Sequence, residues 1–317
     1  GLRIDHIDGL YDPRAYLARV RRHTGRFYVI VEKILSDNEV LPGDWPVYGT
    51  TGYDFSREVN NVFVDSGGML KLDEHYSQII QRLAVFSEVV YEKKKQIIRE
   101  LFPGELRSLS CRLFALAGRD RYARDLTEED ISQALIEVTA GLPVYRTYTR
   151  SFEISPTDRR YLEIAFAESR RRSAPGQAGA LSFLRKVLFL EFPPGPGISR
   201  KRDWLHLVMK WQQFTGPVTA KGLEDTALYN YNRLISLNIV GASLEQKEWS
   251  VNKFHEFNIS RQTHWPLGLN ATSTHDAKRS EDVRARINVL SEKAREWAAH
   301  VSRWRRWNHG KKKKWKG

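Results

Sequence analysis

A basic, an acidic and an imidazole side chain lie within positions 3 to 6, directly after a glycine and a leucine. "GLRID" predicts a short strand that ends in Asp5, with Arg3 before this carboxylate and His6 after it. "RFYVIVEKIL" predicts a second, buried strand that ends in Glu32 and Lys33. Asp5 and Glu32 are 27 residues apart, which is about the length of one β-α-β unit. This spacing predicts two carboxylates on neighbouring parallel strands, at the same edge of the sheet.

A third carboxylate, Asp276, follows the strand-like run "NATST" and the histidine His275. In parallel α/β barrels, residues at the carboxyl ends of the strands form the active site. Three converging carboxylates with an arginine and two histidines suit glycosyl transfer. One carboxylate attacks the sugar, one protonates the leaving oxygen, and the third stabilises an oxocarbenium-like transition state.

Each of these signals has an ordinary structural alternative. An aspartate at a strand end is more often a helix cap or a salt-bridge partner, and Glu32 beside Lys33 is also typical of an exposed ion pair. Histidine and aspartate are common metal ligands, so a metal site is an alternative for His275 with Asp276 and for His6 with Asp8. However, "DHIDG" lacks the spacing of a calcium loop, and the clusters of a zinc site are missing. The joint pattern of three carboxylates favours catalysis.

Strand-like and helical segments divide the chain into four predicted parts. Residues 1–68 alternate short apolar runs with a helix that Asp12 caps, Pro13 begins and Gly25 ends. Residues 69–213 carry amphipathic helices, one of them predicted as a single long helix over residues 72–102. Residues 214–308 return to strand-like runs, "PVTAK" and "NATST", and end in one long helix that begins near Glu281. Residues 309–317 form a basic tail.

Composition predicts a soluble globular protein. Of the 317 residues, 41% are hydrophobic and 28% are charged, and no run approaches the length of a membrane span. The lack of such a run predicts no membrane partner. A single cysteine, Cys111, rules out an internal disulfide and fits a reducing compartment, so we expect a cytoplasmic location.

The net charge of +13 suggests a nucleic-acid partner, but the distribution of the charges argues against one. The 51 Lys and Arg are interleaved with 38 Asp and Glu along most of the chain, as on solvated helix faces. We therefore expect no nucleic-acid partner. The remaining non-enzymatic alternative is a basic helical module that binds nucleic acid or protein through residues 69–213 and the tail. The segment 303–316 is expected to be mobile or to lie along the surface.

Several strings resemble a known enzyme family. "GLRIDHIDGL", "VIVEKIL" and "TSTHDAKRSED" resemble the nucleophile, acid/base and histidine-aspartate motifs of the alpha-amylase superfamily of retaining glycosidases. Together with "GTTGYDF", "GLPVYRTY" and "AKGLEDTALYNYNRL", they resemble the maltooligosyltrehalose synthase branch from Gly1 to about Asn308. This resemblance implies strands 4 to 7 of a (β/α)8 TIM barrel with a large helical insertion. It also implies an internal fragment of a longer enzyme, which we expect to be inactive alone.

The resemblance also implies roles for individual residues. Asp5 becomes the nucleophile, Glu32 the general acid/base and Asp276 the transition-state stabiliser. The residues expected to contact substrate or to line the site are Arg3, His6, His275, Lys33, Tyr53 and Lys221. The chain departs from the family pattern at Asn230, where Arg is expected, and at Ala277, where Thr is expected. These departures affect fine substrate contacts rather than the reaction class.

The implied reaction is an isomerisation by intramolecular transglucosylation. The reducing-end α-1,4 link of a maltooligosaccharide becomes an α,α-1,1 link, a step of trehalose biosynthesis. Neither a metal nor another cofactor is implied. The implied substrate is a glucan derived from starch or glycogen, and the implied metabolic partner is a maltooligosyltrehalose trehalohydrolase. Another amylase-type hydrolase or transglycosidase remains an alternative, because hydrolysis needs the same carboxylates.

Overall fold

The structure is a computed structural model, which describes residues 1–37, 39–83, 85–195, 197–242, 244–245 and 250–313. It is mostly helical, with a small parallel sheet of two strands, β1 (Leu2–Ile4) and β2 (Val29–Val31). The helices in chain order are α1 (Pro13–Thr24), α2 (Tyr53–Val62), α3 (Ser66–Ile80), α4 (Phe86–Leu101), α5 (Pro103–Ala117), α6 (Glu128–Gly141), α7 (Pro156–Arg172), α8 (Ala178–Leu188), α9 (Ile198–Thr219), α10 (Leu228–Asn230), α11 (Val251–His264), α12 (Glu281–Glu292) and α13 (Ala294–Trp307). Short 3-10 turns cover Ile7–Gly9, Pro175–Gln177, Ile235–Leu237 and His309–Lys311, and a π-helical segment covers Ala220–Ala227.

The predicted strand-helix-strand unit at the start of the chain is confirmed. β1 and β2 pair in parallel with Arg3 opposite Ile30, and Val31 forms a further parallel bridge with Thr50. Between the strands, the Asp12 carboxylate accepts from the Ala15 backbone N–H at 2.9 Å and so caps α1. Gly25, with φ of 61°, ends this helix, because glycine adopts positive φ without steric cost.

The chain folds into two compact units, each built from several separate stretches of sequence. Unit 1 comprises residues 1–51, 87–230 and 266–269, and unit 2 comprises residues 52–86, 231–265 and 270–317. The boundaries of these two units differ from those of the four predicted parts. The division into those four parts stays a prediction.

The hydrophobic core of unit 1 lies among helices α4 to α9. Trp211 is buried in this core and donates its indole N–H to Thr139 Oγ1 at 2.9 Å. The predicted helical character of this region is confirmed at α6, α7 and α8. α6 begins with a capping box in which Thr127 and Asp130 satisfy each other's backbone N–H groups.

The predicted strand "PVTAK" is wrong, because this run is helical. α9 continues through Pro217 to Thr219, and the π-helical segment begins at Ala220. The β-branched Val218 and Thr219 are both buried, so they imitate the apolar run of a strand. Burial within the helical core of unit 1 therefore outweighs the strand preference of these residues.

The predicted strand "NATST" is also absent, since residues 270–274 adopt no strand. Hydrogen bonds from side chains take the place of a strand ladder in this segment. The Thr272 carbonyl accepts from Ser56 Oγ at 3.2 Å and from the Arg284 guanidinium. The Thr272 carbonyl is thus hydrogen-bonded without a neighbouring strand.

Both long predicted helices are split. The helix predicted over residues 72–102 breaks after Ile80, where Gln81 adopts a left-handed φ of 57°. The Tyr231 ring packs against Tyr76 before the break and Phe86 after it, each with ring centroids 5.2 Å apart. The aromatic contact stabilises the bend. The helix predicted from Glu281 is interrupted at Lys293, between α12 and α13.

The described part of the basic tail is on the surface. Residues 303–307 are exposed within α13, and residues 308–313 are exposed beyond it. Residues 314–317 of the predicted tail lie outside the described residues. None of the helices in the described ranges is long and apolar enough to cross a membrane.

A lysine is buried in unit 1 against a backbone carbonyl. Lys94 is 2% exposed, and its ammonium donates to the Leu142 carbonyl at 2.8 Å. Gly222 faces this lysine so closely that an added Cβ would lie 2.8 Å from Lys94 Cγ. Burial lowers the pKa of Lys94 from its ordinary 10.5 to about 7.

This buried lysine predicts that stability rises with pH above neutrality. The folded Lys94 loses its proton near pH 7, whereas the unfolded chain keeps it until near pH 10.5, so alkali favours the folded state. Between pH 7 and pH 9, urea titrations of the complete gene product should show a gain of about 2 kcal/mol in unfolding free energy. Lys94→Met should remove this gain. The neighbouring Lys93→Met should keep it, since Lys93 is less buried and bonds to Gln96. Equal pH dependence in both variants would contradict the prediction.

Candidate active site

Two carboxylates meet at the end of the small parallel sheet in unit 1. Asp5 follows β1 and Glu32 follows β2, as the spacing of their motifs predicts. The Arg3 guanidinium donates to the Asp5 carboxylate, and its Nη2 lies 3.7 Å from Glu32 Oε2. Asp5 is 69% exposed, whereas Glu32 is 17% exposed. One exposed and one sheltered carboxylate therefore share a single guanidinium.

The backbone after Asp5 is bent toward Glu32. His6 adopts a left-handed φ of 42°, which is uncommon for a residue with a side chain. In this conformation its backbone N–H donates to Glu32 Oε2 at 2.7 Å. The His6 imidazole lies over Gly9, where an added Cβ would stand 2.4 Å from the ring. Only glycine fits at position 9 with His6 in this place.

The environment of Glu32 favours its protonated form. Burial raises the pKa of Glu32 most, and a hydrogen bond with the Asp5 carboxyl and the charge of Asp5 raise it further. The His6 N–H and the Arg3 charge act in the opposite direction. A retaining mechanism uses a pair of carboxyl groups about 5 to 5.5 Å apart, one as the acid and one as the nucleophile. Such a pair suits one protonated acid beside one ionised nucleophile.

Lys33, next to Glu32, is fully buried in unit 1. Its ammonium lies 2.7 Å from Glu39 Oε1 and 3.1 Å from Asp8 Oδ2, and it donates to the Ile34 carbonyl at 2.9 Å. Burial opposes the charge on Lys33, but the two carboxylates outweigh it and raise the pKa of this lysine. The resemblance implies that Lys33 lines the site. In this structure its ammonium is fully occupied by buried partners.

The segment 142–149, between α6 and α7, packs beneath the turn that follows Asp5. The Arg146 guanidinium is 1% exposed and donates to the Asp8 carbonyl at 2.8 Å and to the Leu10 carbonyl. The Tyr148 hydroxyl donates to the Asp8 carboxylate. Burial raises the pKa of Tyr148 well above its usual range, so this hydroxyl remains a donor. Lys33 and the segment 142–149 thus hold Asp8 from two sides.

The third predicted carboxylate belongs to unit 2. The Tyr53 hydroxyl donates to Asp276 Oδ2 at 2.6 Å, and His275 Nε2 lies 3.4 Å from the same oxygen. Tyr53 is buried, while the side chains of His275 and Asp276 are 67% and 41% exposed. The contact of Tyr53, at the start of α2, with the histidine-aspartate motif joins two of the predicted site strings. The convergence of Asp276 with the pair in unit 1 stays a prediction.

The remaining predicted positions lie in or near the π-helical segment and the histidine-aspartate motif. Lys221 is half exposed and pairs with Asp225 at 2.7 Å, one helical turn away. Asn230, where the family pattern has Arg, donates its side-chain amide to the Thr226 carbonyl at 2.7 Å. Ala277, where the pattern has Thr, donates its backbone N–H to the Thr274 carbonyl at 3.1 Å.

Sequence reasoning did not assign Glu39, Arg146 or Tyr148 to the surroundings of the site. The string "GLPVYRTY" contained the signal, since an arginine between two tyrosines in an apolar run needs buried partners. Within the described ranges, no three His, Cys, Asp or Glu side chains cluster as metal ligands.

Comparison with known proteins gives a consistent set of relatives, although a scan against protein-family models finds no match. A Mycobacterium tuberculosis protein described as "Putative maltooligosyl trehalose synthase" is 32% identical over 302 residues, which is 95% of this chain. The structure of maltooligosyltrehalose synthase from Arthrobacter ramosus matches with a TM-score of 0.81 at 32% identity, over 96% of this chain and 36% of that one. A hypothetical maltooligosyl trehalose synthase of Sulfolobus tokodaii matches with a TM-score of 0.70 at 38% identity, over 96% of this chain and 36% of that one.

Each of these relatives is described as a maltooligosyltrehalose synthase. Along nearly its whole length the chain is related to the maltooligosyltrehalose synthases, which confirms the resemblance predicted from its motifs. The chain spans about 36% of the length of the relatives it matches.

Proposed function

We propose that the gene product containing this chain isomerises maltooligosaccharides by intramolecular transglucosylation. The observation that carries the proposal is the Asp5–Glu32 pair at the ends of two parallel strands, with Arg3 contacting both carboxylates. The relatives named above support the same reaction. In the complete protein, β1 and β2 would be strands 4 and 5 of a TIM barrel.

The pair in unit 1 supplies the groups that the first half-reaction needs. Asp5, kept ionised by Arg3, attacks the anomeric carbon at the reducing-end α-1,4 link and forms a glycosyl ester. Glu32, with its raised pKa, gives its proton to the leaving glucose oxygen. Asp276, held by Tyr53, is assigned to stabilise the developing positive charge.

In the second half-reaction, the freed glucose turns within the site and attacks the same carbon. Glu32, now ionised, takes the proton of the glucose anomeric hydroxyl as its oxygen displaces the Asp5 ester. The product carries an α,α-1,1 link in place of the α-1,4 link. His6 and His275 are assigned to hydrogen-bond the hydroxyls of the reacting glucose, and Lys221 is assigned to the wall of the site. Retention of glucose requires a site from which water is excluded.

The product distribution tests this proposal. With maltopentaose, the complete gene product should remove the reducing end while the chain length stays the same, because the same glucose is released and recaptured. Mass spectrometry and a reducing-sugar assay measure the two quantities separately. Glucose and shortened maltooligosaccharides as main products would instead support the hydrolase alternative, which uses the same carboxylates.

The wider assignments follow from the same proposal. The substrate would be a glucan derived from starch or glycogen, and the metabolic partner a hydrolase that releases trehalose from the product. The reaction is proposed to run in the cytoplasm without a cofactor. A basic nucleic-acid-binding module is disfavoured, because acidic residues are interleaved with the basic ones along the chain.

A further inference from the structure

A buried ion pair connects the two strand ends that carry the candidate catalytic carboxylates. Asp8 lies three residues after Asp5, and Lys33 directly follows Glu32. The Lys33 ammonium contacts the Asp8 carboxylate at 3.1 Å, and both side chains are 5% exposed or less. The covalent path from either carboxylate to this contact is short. The ion pair therefore links the two strand ends beside their backbone pairing.

The segment 142–149 holds the Asp8 side of this connection. The Tyr148 hydroxyl donates to the Asp8 carboxylate, while Arg146 donates to the backbone carbonyls of Asp8 and Leu10. Trp45 packs its ring edge-on against Tyr148, with centroids 5.2 Å apart. The tyrosine is thus fixed by packing as well as by its hydrogen bond.

We propose that Tyr148, Asp8 and Lys33 are positioning residues that set the separation of Asp5 and Glu32. This inference rests on the proposed function and assigns these residues no direct contact with the reacting atoms. Misplacement of a catalytic group by about 1 Å can cost roughly 100-fold in rate, so a buried connection of this kind has a kinetic effect.

Tyr148→Phe is the most informative test, because it removes one hydroxyl without changing charge or ring packing. In the complete gene product, kcat on maltopentaose should fall roughly 3- to 10-fold, with KM changed less than about twofold. In Asp8→Asn, kcat should fall further, by roughly 100-fold. The alkaline limb of the kcat profile should also shift to lower pH in Tyr148→Phe. When Asp5 is held less firmly near Glu32, it raises the pKa of Glu32 less, so Glu32 loses its proton at a lower pH.

Tyr91→Phe is the matched control. Tyr91 is also a buried tyrosine that donates to a buried carboxylate, but its acceptor is Glu137 of α6 rather than Asp8. Both variants should lose similar thermal stability, while Tyr91→Phe keeps the kcat and the pH profile of the wild type. Identical kinetic behaviour of the two variants would overturn the positioning role.

A measurement without turnover separates this inference from the proposed function. Carbon-13 NMR titration of the Glu32 carboxyl should give a lower pKa in Tyr148→Phe than in the wild type. A lower Glu32 pKa in Tyr148→Phe confirms the positioning role. If the wild type nevertheless leaves maltopentaose unchanged, only the proposed reaction is contradicted. If the wild type isomerises maltopentaose but the Glu32 pKa is the same in both proteins, only the positioning role is refuted.

Discussion

Asp5→Asn should lower the rate of maltopentaose isomerisation by roughly 10⁴-fold or more, to the limit of detection. An amide does not form the glycosyl ester at a useful rate, so both half-reactions are lost. The substitution preserves the size of the side chain, and Asp5 is largely exposed, so thermal stability should change little. The measurement is the initial rate of loss of reducing ends in the complete gene product.

Asp44→Asn is the control for this prediction. Asp44 is another exposed aspartate of unit 1 that pairs with an arginine, Arg14, at 2.7 Å. Its loss should leave the rate unchanged, because exposed ion pairs contribute little and Asp44 is not placed at the site. Full activity after Asp5→Asn would overturn the mechanism itself.

Glu32→Gln should lower the isomerisation of ordinary maltooligosaccharides by roughly 10³-fold, because the leaving oxygen then departs without a proton. A maltosyl fluoride needs no such proton. The same variant should therefore still transfer its maltosyl group to Asp5 and release fluoride. Fluoride release in a stopped-flow instrument, with the ester trapped for mass spectrometry, measures this step alone.

The comparison of the two variants distinguishes nucleophile from acid. Asp5→Asn should release no fluoride, whereas Glu32→Gln should release about one equivalent per site as the ester accumulates. If Asp5→Asn releases fluoride and Glu32→Gln does not, the two roles are reversed.

Local signals in the sequence predict local structure well here. Asp12, Pro13 and Gly25 delimit α1, and Thr127 begins α6, because caps depend on side chains next to the helix ends they satisfy. The strand prediction for "PVTAK" is wrong because the burial of this run comes from distant helices. The break at Gln81 escapes prediction for a similar reason, since the Tyr231 ring that packs on both sides of it lies 150 residues away.

The candidate site is predictable from the sequence only in its outline. The spacing of Asp5 and Glu32 predicts neighbouring strand ends, because 27 residues is about the length of one β-α-β unit. The burial of Lys33 is not predictable, since it depends on Asp8, Glu39 and the segment 142–149. These partners come from three stretches of chain, and no local pattern links them.

The hydrogen bond from Arg146 to the Asp8 carbonyl joins residues 138 positions apart, and this separation has a consequence for folding. Closing a loop of that length costs about 4 kcal/mol of chain entropy before the contact contributes anything. Folding that depends on contacts of such high sequence separation is slow. A chain with only β1, α1 and β2 in place would hold both carboxylates on loose strand ends. The turn that follows Asp5 is therefore fixed only when the segment 142–149 has docked against it.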